Sequence, residues 1–302
     1  MIIKMSFISR ILAEAEKEGN PLRKHLKRVI CNLTDEDLHE LDRLSSFFKS
    51  FDIDVKEQYR AYQEFVDMTL GETKYFLENG NYRYSTFSEV ADKVYFCNEY
   101  MKRYMVGLSL SQYLWDIHKN CHNFFLDKLY SEAVGGKYCE IGPGHGLYFY
   151  DAVYSKKFSS CTAIDLSHMS LTMTKAFVNY PQMYSGNVNV EYIYKDVNSI
   201  AGEALYDFLV MCEVLEHVEE PEKILRSLRR ILKKDGMAYF SIPINAPEID
   251  HIKLFKSPDE VTALLNNTGF VIKEQKLFCS NGNKLERALK FNEPILMCVF
   301  VA

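Results

Sequence analysis

No stretch of this 302-residue chain approaches the roughly 18–20 consecutive apolar residues that a membrane-spanning helix needs, which predicts a protein without a membrane anchor. The N-terminus lacks an apolar core followed by a small-residue cleavage site, so no signal peptide is expected. There is no C-x-x-C pair among the eight scattered cysteines. Cys139, Cys161, Cys212 and Cys298 fall instead in apolar, strand-like runs, the setting of reduced, buried thiols, which predicts a cytoplasmic compartment. Positive charge is not in excess: the formal net charge is −5, which disfavours a general electrostatic grip on nucleic acid. Internal repeats, low-complexity segments and Pro/Ser-rich linkers are also missing. What remains, 47% hydrophobic and 25% charged, is an ordinary globular composition, long enough for one large core or two modest ones.

The first half is helical in pattern. Ser6 to Glu18 reads as an amphipathic helix stopped by Gly19-Asn20-Pro21. Thr34 followed by Asp35, Glu36 and Asp37 is a hydroxyl cap with acids at a helix start, and Leu38, Leu41 and Leu44 share one face. A third helix spans about Val55 to Phe76. Thr86 and Glu89 form a capping-box signature for a helix through about Tyr104, and another runs from about Leu108 to Tyr130. Near Val134-Gly135-Gly136 the helical period gives way to short apolar strands. This predicts a helical part over 1–134 and an α/β part over 135–302.

The organising stretch is Lys137-Tyr138-Cys139-Glu140-Ile141-Gly142-Pro143-Gly144-His145-Gly146. It reads as a strand, a glycine turn and a helix N-terminus, which together cradle a polar ligand. A phosphate-binding loop would need Gly-Lys-Ser or Gly-Lys-Thr, and this chain has Gly146-Leu147-Tyr148. A dinucleotide site prefers G-x-G-x-x-G, and the third glycine here comes one position early. Further strands are expected at Ser160–Ile164, Val188–Tyr194, Phe208–Cys212 and Met237–Ile242, alternating with helices as in a mainly parallel sheet. The helix after Pro221 is expected to end before Gly236, and one starting at Ser257-Pro258 to end at Gly269. Two closing strands, Phe270–Phe278 and Pro294–Val301, suit an antiparallel addition.

Acids recur at strand ends: Glu140, Asp165 and Asp196. The fourth strand runs into Met211-Cys212-Glu213-Val214-Leu215-Glu216-His217-Val218. With Glu140–Gly146 and Lys234-Asp235-Gly236, this set resembles the class I S-adenosylmethionine-dependent methyltransferases of small-molecule type, in particular ubiquinone-biosynthesis-like O-methyltransferases and related natural-product enzymes. The resemblance covers roughly residues 135 to 302. It implies a seven-stranded, doubly wound Rossmann-like methyltransferase sheet with S-adenosylmethionine as cofactor, to which the helical pattern of the first half adds an all-helical N-terminal domain. Carried over, Gly142, Gly144 and Gly146 would wrap the methionine part, and Asp165 with Leu166 would bind the ribose. Asp196 and Val197 would hold adenine, and Cys212 and Glu213 would flank the methionine moiety. The motif Cys-Glu-Val-Leu replaces the Asn/Asp-Pro-Pro-aromatic signature of nucleic-acid amino-methyltransferases, so DNA and RNA are not expected substrates.

His217, at the mouth of such a site, is placed to act as a base or to cap the next helix. The polar loop Pro243–His251 adds Asp250 and His251 as further candidates. Tyr104, Tyr113, Trp115 and His118 are lid or substrate candidates, with core packing as the alternative for the aromatics. His118, Cys121 and His122 lie on one helix face, but Lys119 stands where a zinc-protease motif needs Glu, and no metal is expected. The expected partner is a small molecule, free or carrier-bound. A carrier-protein or peptide substrate and a non-catalytic cofactor-binding scaffold remain as alternatives, and the oligomeric state, a homodimer among the options, is left open.

Overall fold

The structure is a computed structural model that describes residues 6–132, 135–180 and 188–302. The boundary expected at Val134 lies outside them. Before the sheet come α1 (Phe7–Lys17), α2 (Leu22–Ile30), α3 (Asp35–Lys49), α4 (Val55–Asn79), α5 (Phe87–Ala91), α6 (Asn98–Leu114) and α7 (Asp116–Glu132). The sheet region follows as β1 (Lys137–Ile141), α8 (Leu147–Tyr154), β2 (Ser160–Asp165), α9 (His168–Val178), β3 (Asn189–Tyr194), β4 (Tyr206–Cys212), α10 (Pro221–Ile231), β5 (Leu232–Ile244), α11 (Pro258–Asn267), β6 (Ile272–Cys279), α12 (Leu285–Lys290) and β7 (Ile295–Val301).

Local signals fix the best-defined helix starts. Thr34 accepts from the Asp37 amide, and the Asp37 carboxylate accepts in return from the Thr34 amide. Asp54 and Glu57 do the same for α4, which ends at Gly80 in the left-handed conformation. Two expected helices are each broken. The capping acid Glu89 does accept from the Ser85 and Thr86 amides, yet α5 stops at Ala91 and α6 restarts at Asn98. Between them the Tyr95 hydroxyl donates to the Asp250 carboxylate at 2.9 Å, so a contact across 155 residues overrides the helical period. The second break is at Trp115, extended at φ −118° and ψ 119°, whose indole N–H donates to the Tyr62 hydroxyl.

The sheet order is β3-β2-β1-β4-β5-β7-β6. The first five strands are parallel, and β7 enters antiparallel between β5 and β6. Right-handed crossovers need helices on both faces of such a sheet. On one face Ile224, Leu225, Leu228 and Ile231 of α10, with Val261 and Leu265 of α11, cover Leu209, Phe240 and Val299. On the other, Cys121, Phe124, Phe125 and Leu129 of α7 pack with α8 against Val210, Tyr239 and Phe300. The earlier helices form a third cluster that reaches Leu147, Met173 and Phe177 of α8 and α9. The helix α10 ends at Ile231, before Gly236 as expected; β5 follows it directly, and Gly236 sits inside that strand, where a Cβ would meet the Asp207 carbonyl at 3.0 Å.

The α4–α6 crossing brings backbones together at Gly107, where a Cβ would stand 2.6 Å from the Phe65 Cβ and 2.8 Å from the Ala61 carbonyl. Gly107→Ala should therefore lower stability by about 1–3 kcal/mol through overpacking. Gly71→Ala, on the same α4 with nothing within 4 Å, should raise it by about 0.4–1 kcal/mol through the unfolded chain. Denaturant melts of both variants check the pair, and equal effects would contradict the close crossing.

Candidate active site

In an open parallel sheet the crevice lies beyond the carboxyl ends of the strands where strand order reverses, here between β1 and β4. A cavity of about 210 Å³ sits there. After β1 the chain turns at Gly142, φ +66°, whose amide donates to the Ile164 carbonyl at 2.9 Å. A Cβ on Gly142 would meet the Val214 side chain at 2.7 Å, so the turn and the β4 loop touch only because glycine stands there. Gly144, φ +53°, lines the cavity, and the space its missing Cβ would take is open to within 3.9 Å of the Met105 sulfur. Gly146 caps α8.

The cavity is lined by the carboxyl groups of Glu140, Asp165, Asp196, Glu213, Glu248 and Asp250 against a single lysine, Lys195. Such a lining repels phosphates and accommodates a cation. Asp165, at the end of β2, accepts from the Ser167 amide at 2.7 Å and the Ser170 hydroxyl at 2.5 Å. Burial nonetheless pushes its carboxyl above the usual range. The buried Glu140 carboxyl is pushed up to about 8 by burial, although the Tyr138 hydroxyl donates to it at 2.6 Å. Burial lifts Glu213 to about 7, with Asp250 adding repulsion. Glu213 also holds a left-handed backbone, φ +53°, uncommon for a residue with a Cβ and a mark of a constrained site. Asp196 caps its own turn by accepting from the Asn198 amide, and still borders the cavity beside Val197 and the half-exposed Leu166.

At the far end the structure places His217, Asp250 and His251 together. The His217 Nδ1–H donates to the Asp250 carbonyl at 3.0 Å, and the His251 Nδ1–H to the Ala246 carbonyl at 2.6 Å. Burial lowers His251 to about 3 and His118 to about 4, so both are neutral at pH 7. Tyr104 and His118 line the cavity; Tyr113 and Trp115 do not. Tyr113 is buried in the helical cluster, and Trp115 borders a second cavity. His118 hydrogen-bonds Ser111, His122 meets Asp151 at 2.6 Å, and the Cys121 thiol lies 3.0 Å from that of Cys298, so the three take separate partners. Sequence reasoning missed Tyr95, Met101, Met105, Gln112 and Glu248, which also line the site. They come from the α5–α6 segment and a loop, where no local motif marks them.

A family model described as a methyltransferase domain matches residues 117–290, more than half of the chain, and the protein belongs to that family. Family and fold together are those of a class I methyltransferase domain. The match begins with α7, the helix that covers the sheet. Among curated relatives, the mitochondrial ubiquinone biosynthesis O-methyltransferase of Schizosaccharomyces pombe is 31% identical over 35% of this chain and 38% of its own length. The ubiquinone biosynthesis O-methyltransferase of Rickettsia bellii is 24% identical over 51% of this chain and 70% of its own. The chain spans less than half the length of the first relatives it matches, 38% to 46%. A solved S-adenosylmethionine-dependent methyltransferase from Aquifex aeolicus superposes with a TM-score of 0.45 at 18% identity, over 64% of this chain and 93% of that one. Among the described residues no helix is long and apolar enough to cross a membrane.

Because Glu140 titrates near 4.5 unfolded and about 8 folded, the folded protein keeps a proton that the unfolded chain releases across that window. Stability of the ligand-free protein should fall as pH rises from about 4.5 to 8, and Glu140→Gln should flatten this slope by an amount on the order of a few kcal/mol. Thermal melts across the window check it, and an unchanged slope would contradict the assignment. Asp165→Ala should weaken S-adenosylhomocysteine binding by about 1.5–3 kcal/mol through lost charge-assisted hydrogen bonds, read by calorimetry; unchanged affinity in a folded variant would assign the ribose to another acid.

Proposed function

We propose that this enzyme methylates an oxygen of a small, largely apolar hydroxylated metabolite. The observation that carries the reading is the meeting of two cavities. A second one, of about 670 Å³, is lined by Leu22, Val29, Val66, Leu114 and Trp115, and it shares His118, Glu213, Glu248 and His251 with the first. An apolar acceptor lying in the second cavity would present its hydroxyl at that shared polar end. The names carried by the curated relatives favour oxygen as the acceptor atom.

When bound, S-adenosylmethionine supplies a methyl group on a positively charged sulfonium. Gly142, Gly144 and Gly146 would take its methionine part against the backbone, with Cys212 and Glu213 alongside. Asp165 and Leu166 would hold the ribose, and Asp196 and Val197 the adenine. The carboxyl lining of Glu140, Glu213 and Asp250 suits the sulfonium and ammonium charges, since a cation beside Glu140 and Glu213 would favour the ionised form that burial opposes. Residues 1–134 would close the site through Tyr95, Met101, Tyr104 and Met105, excluding water and aligning the reacting atoms. Because Nδ1 of His217 donates to the Asp250 carbonyl, its Nε2 lone pair is left to act at the acceptor oxygen.

The test is a panel of hydroxylated metabolites read by S-adenosylhomocysteine release. His217→Ala should reduce turnover about 10²–10⁴-fold while cofactor affinity stays within a factor of two or so. Val66→Phe should raise the acceptor KM roughly tenfold with little change in cofactor binding. A wild type that binds cofactor yet methylates nothing across metabolite, peptide and carrier-protein panels would favour a non-catalytic scaffold.

A further inference from the structure

The helical roof holds the loop after β5 at three points. Thr69 of α4 donates to the Glu248 carboxylate, the Tyr82 hydroxyl accepts from the Ala246 amide at 3.2 Å, and the Tyr95 hydroxyl donates to Oδ2 of Asp250. The last contact differs from the others in what Asp250 touches next. Its carbonyl accepts from Nδ1–H of His217, and its Oδ2 stands 3.5 Å from the same nitrogen. Asp250 is 2% exposed, and its other carboxylate oxygen, Oδ1, has no hydrogen-bond partner. Among the described residues Tyr95 is therefore the one hydrogen-bond donor to this carboxylate. Burial and the charge on Asp250 hold the Tyr95 hydroxyl well above its ordinary pKa, so it keeps the proton that it donates. The Tyr95 ring adds a second contact. It meets the His217 imidazole edge to face, with centroids 5.9 Å apart, and Phe87 backs it at 5.3 Å. The Phe87 amide in turn donates to the carboxylate of Glu219, just past His217, at 2.8 Å. One stretch of the roof thus grips the His217 turn on both sides.

We propose that Tyr95 is a positioning residue for His217, acting through the Asp250 carboxylate, and that the base is complete only while the segment between α5 and α6 is seated on the sheet. This rests on the reading of His217 as the base of the transfer. The acceptor oxygen that takes the methyl group loses its proton, which moves to Nε2 of His217. The electron pair of the broken sulfur–carbon bond stays on sulfur, and the proton later passes to water. Protonated at both nitrogens, the ring is a cation. Its Nδ1–H is already committed to the Asp250 carbonyl, and the Asp250 carboxylate is the negative charge that faces the new positive one. A buried carboxylate with one donor keeps its place only while that donor keeps its own. Tyr95 belongs to the roof and Asp250 to the sheet side, so lifting the roof would take the donor away and free the carboxylate to turn. Roof closure and assembly of the base would then be one movement, and an open site would hold an incomplete base.

The test compares the full chain with Tyr95→Phe, which keeps the ring between Phe87 and His217 and removes only the hydroxyl. The first readout is the NMR signals of the ring nitrogens in histidine-labelled protein. The His217 signals, assigned by their loss in His217→Ala, should shift and broaden in Tyr95→Phe, while those of His122 and His168 stay in place. No acceptor is needed, so this readout judges the proposal even where the metabolite panel yields no substrate. S-adenosylhomocysteine affinity on the same samples should hold. With an acceptor from the panel, Tyr95→Phe should lower kcat about tenfold or more while KM for that acceptor holds. In a His217→Ala background the same substitution should cost nothing further, as for residues that act through one another. Where Tyr95→Phe does not fold, Asp250→Asn, which leaves an oxygen for the Tyr95 hydroxyl, carries both comparisons. Unmoved His217 signals or an unchanged kcat would overturn the proposal. An equal loss of kcat with and without His217 would overturn it too, by leaving Tyr95 as packing of the roof alone.

Discussion

Too many buried and half-buried carboxyl groups share too few donors at the carboxyl edge of the sheet, and that imbalance governs the site. Glu140, Asp165, Glu213, Glu216, Glu248 and Asp250 converge there, and among the described residues Lys195 is the only lysine or arginine on the cavity wall. Burial raises the pKa of Glu140, Asp165, Glu213, Glu216 and Glu248. A site held in this state is receptive to positive charge, because each cation that enters favours the ionised carboxylates that burial alone opposes.

The topology creates the imbalance and also contains it. Parallel strands deliver one acid each to the same edge, and the reversal of strand order between β1 and β4 opens a crevice among them. The glycine turn keeps that crevice open, while Val214 against Gly142 locks the β1 and β4 loops together. The N-terminal helices then roof it. Tyr95 ties the roof to the floor through Asp250, and Thr69 on α4 donates to the Glu248 carboxylate at 2.7 Å. The roof therefore supplies hydrogen-bond donors as well as apolar cover.

What was legible in the sequence was what local chemistry controls. The glycine turn, the alternation of strands and helices, and the capping residues Thr34 and Ser257 all follow from residues within a few positions of each other. The breaks at 92–97 and at Trp115 did not, because distant partners, Asp250 and Tyr62, impose them on a continuous helical period. The fifth strand starts at Leu232, ahead of the expected Met237, because Leu232 pairs with Tyr206 of β4. Glu216 was visible only as part of a motif. Its burial and its unpaired oxygens arise when the Ala246–His251 loop folds over it, with Ile252 and Lys253 donating to its carbonyl. Tyr113 and Trp115 were selected as aromatics at helical spacing, and packing took both away from the cavity.

The central claim is that two cavities meeting at one polar end join a cofactor cradle to an acceptor site, with the reacting sulfur between them. An experimental structure of the chain with S-adenosylhomocysteine tests this most directly. The account predicts the ribose hydroxyls on the Asp165 carboxylate, the adenine beside Leu166 and Val197, and the sulfur turned toward Glu213 and His217. Adenine lodged against His217 and His251, or a ligand bound away from the Gly142–Gly146 turn, would contradict it.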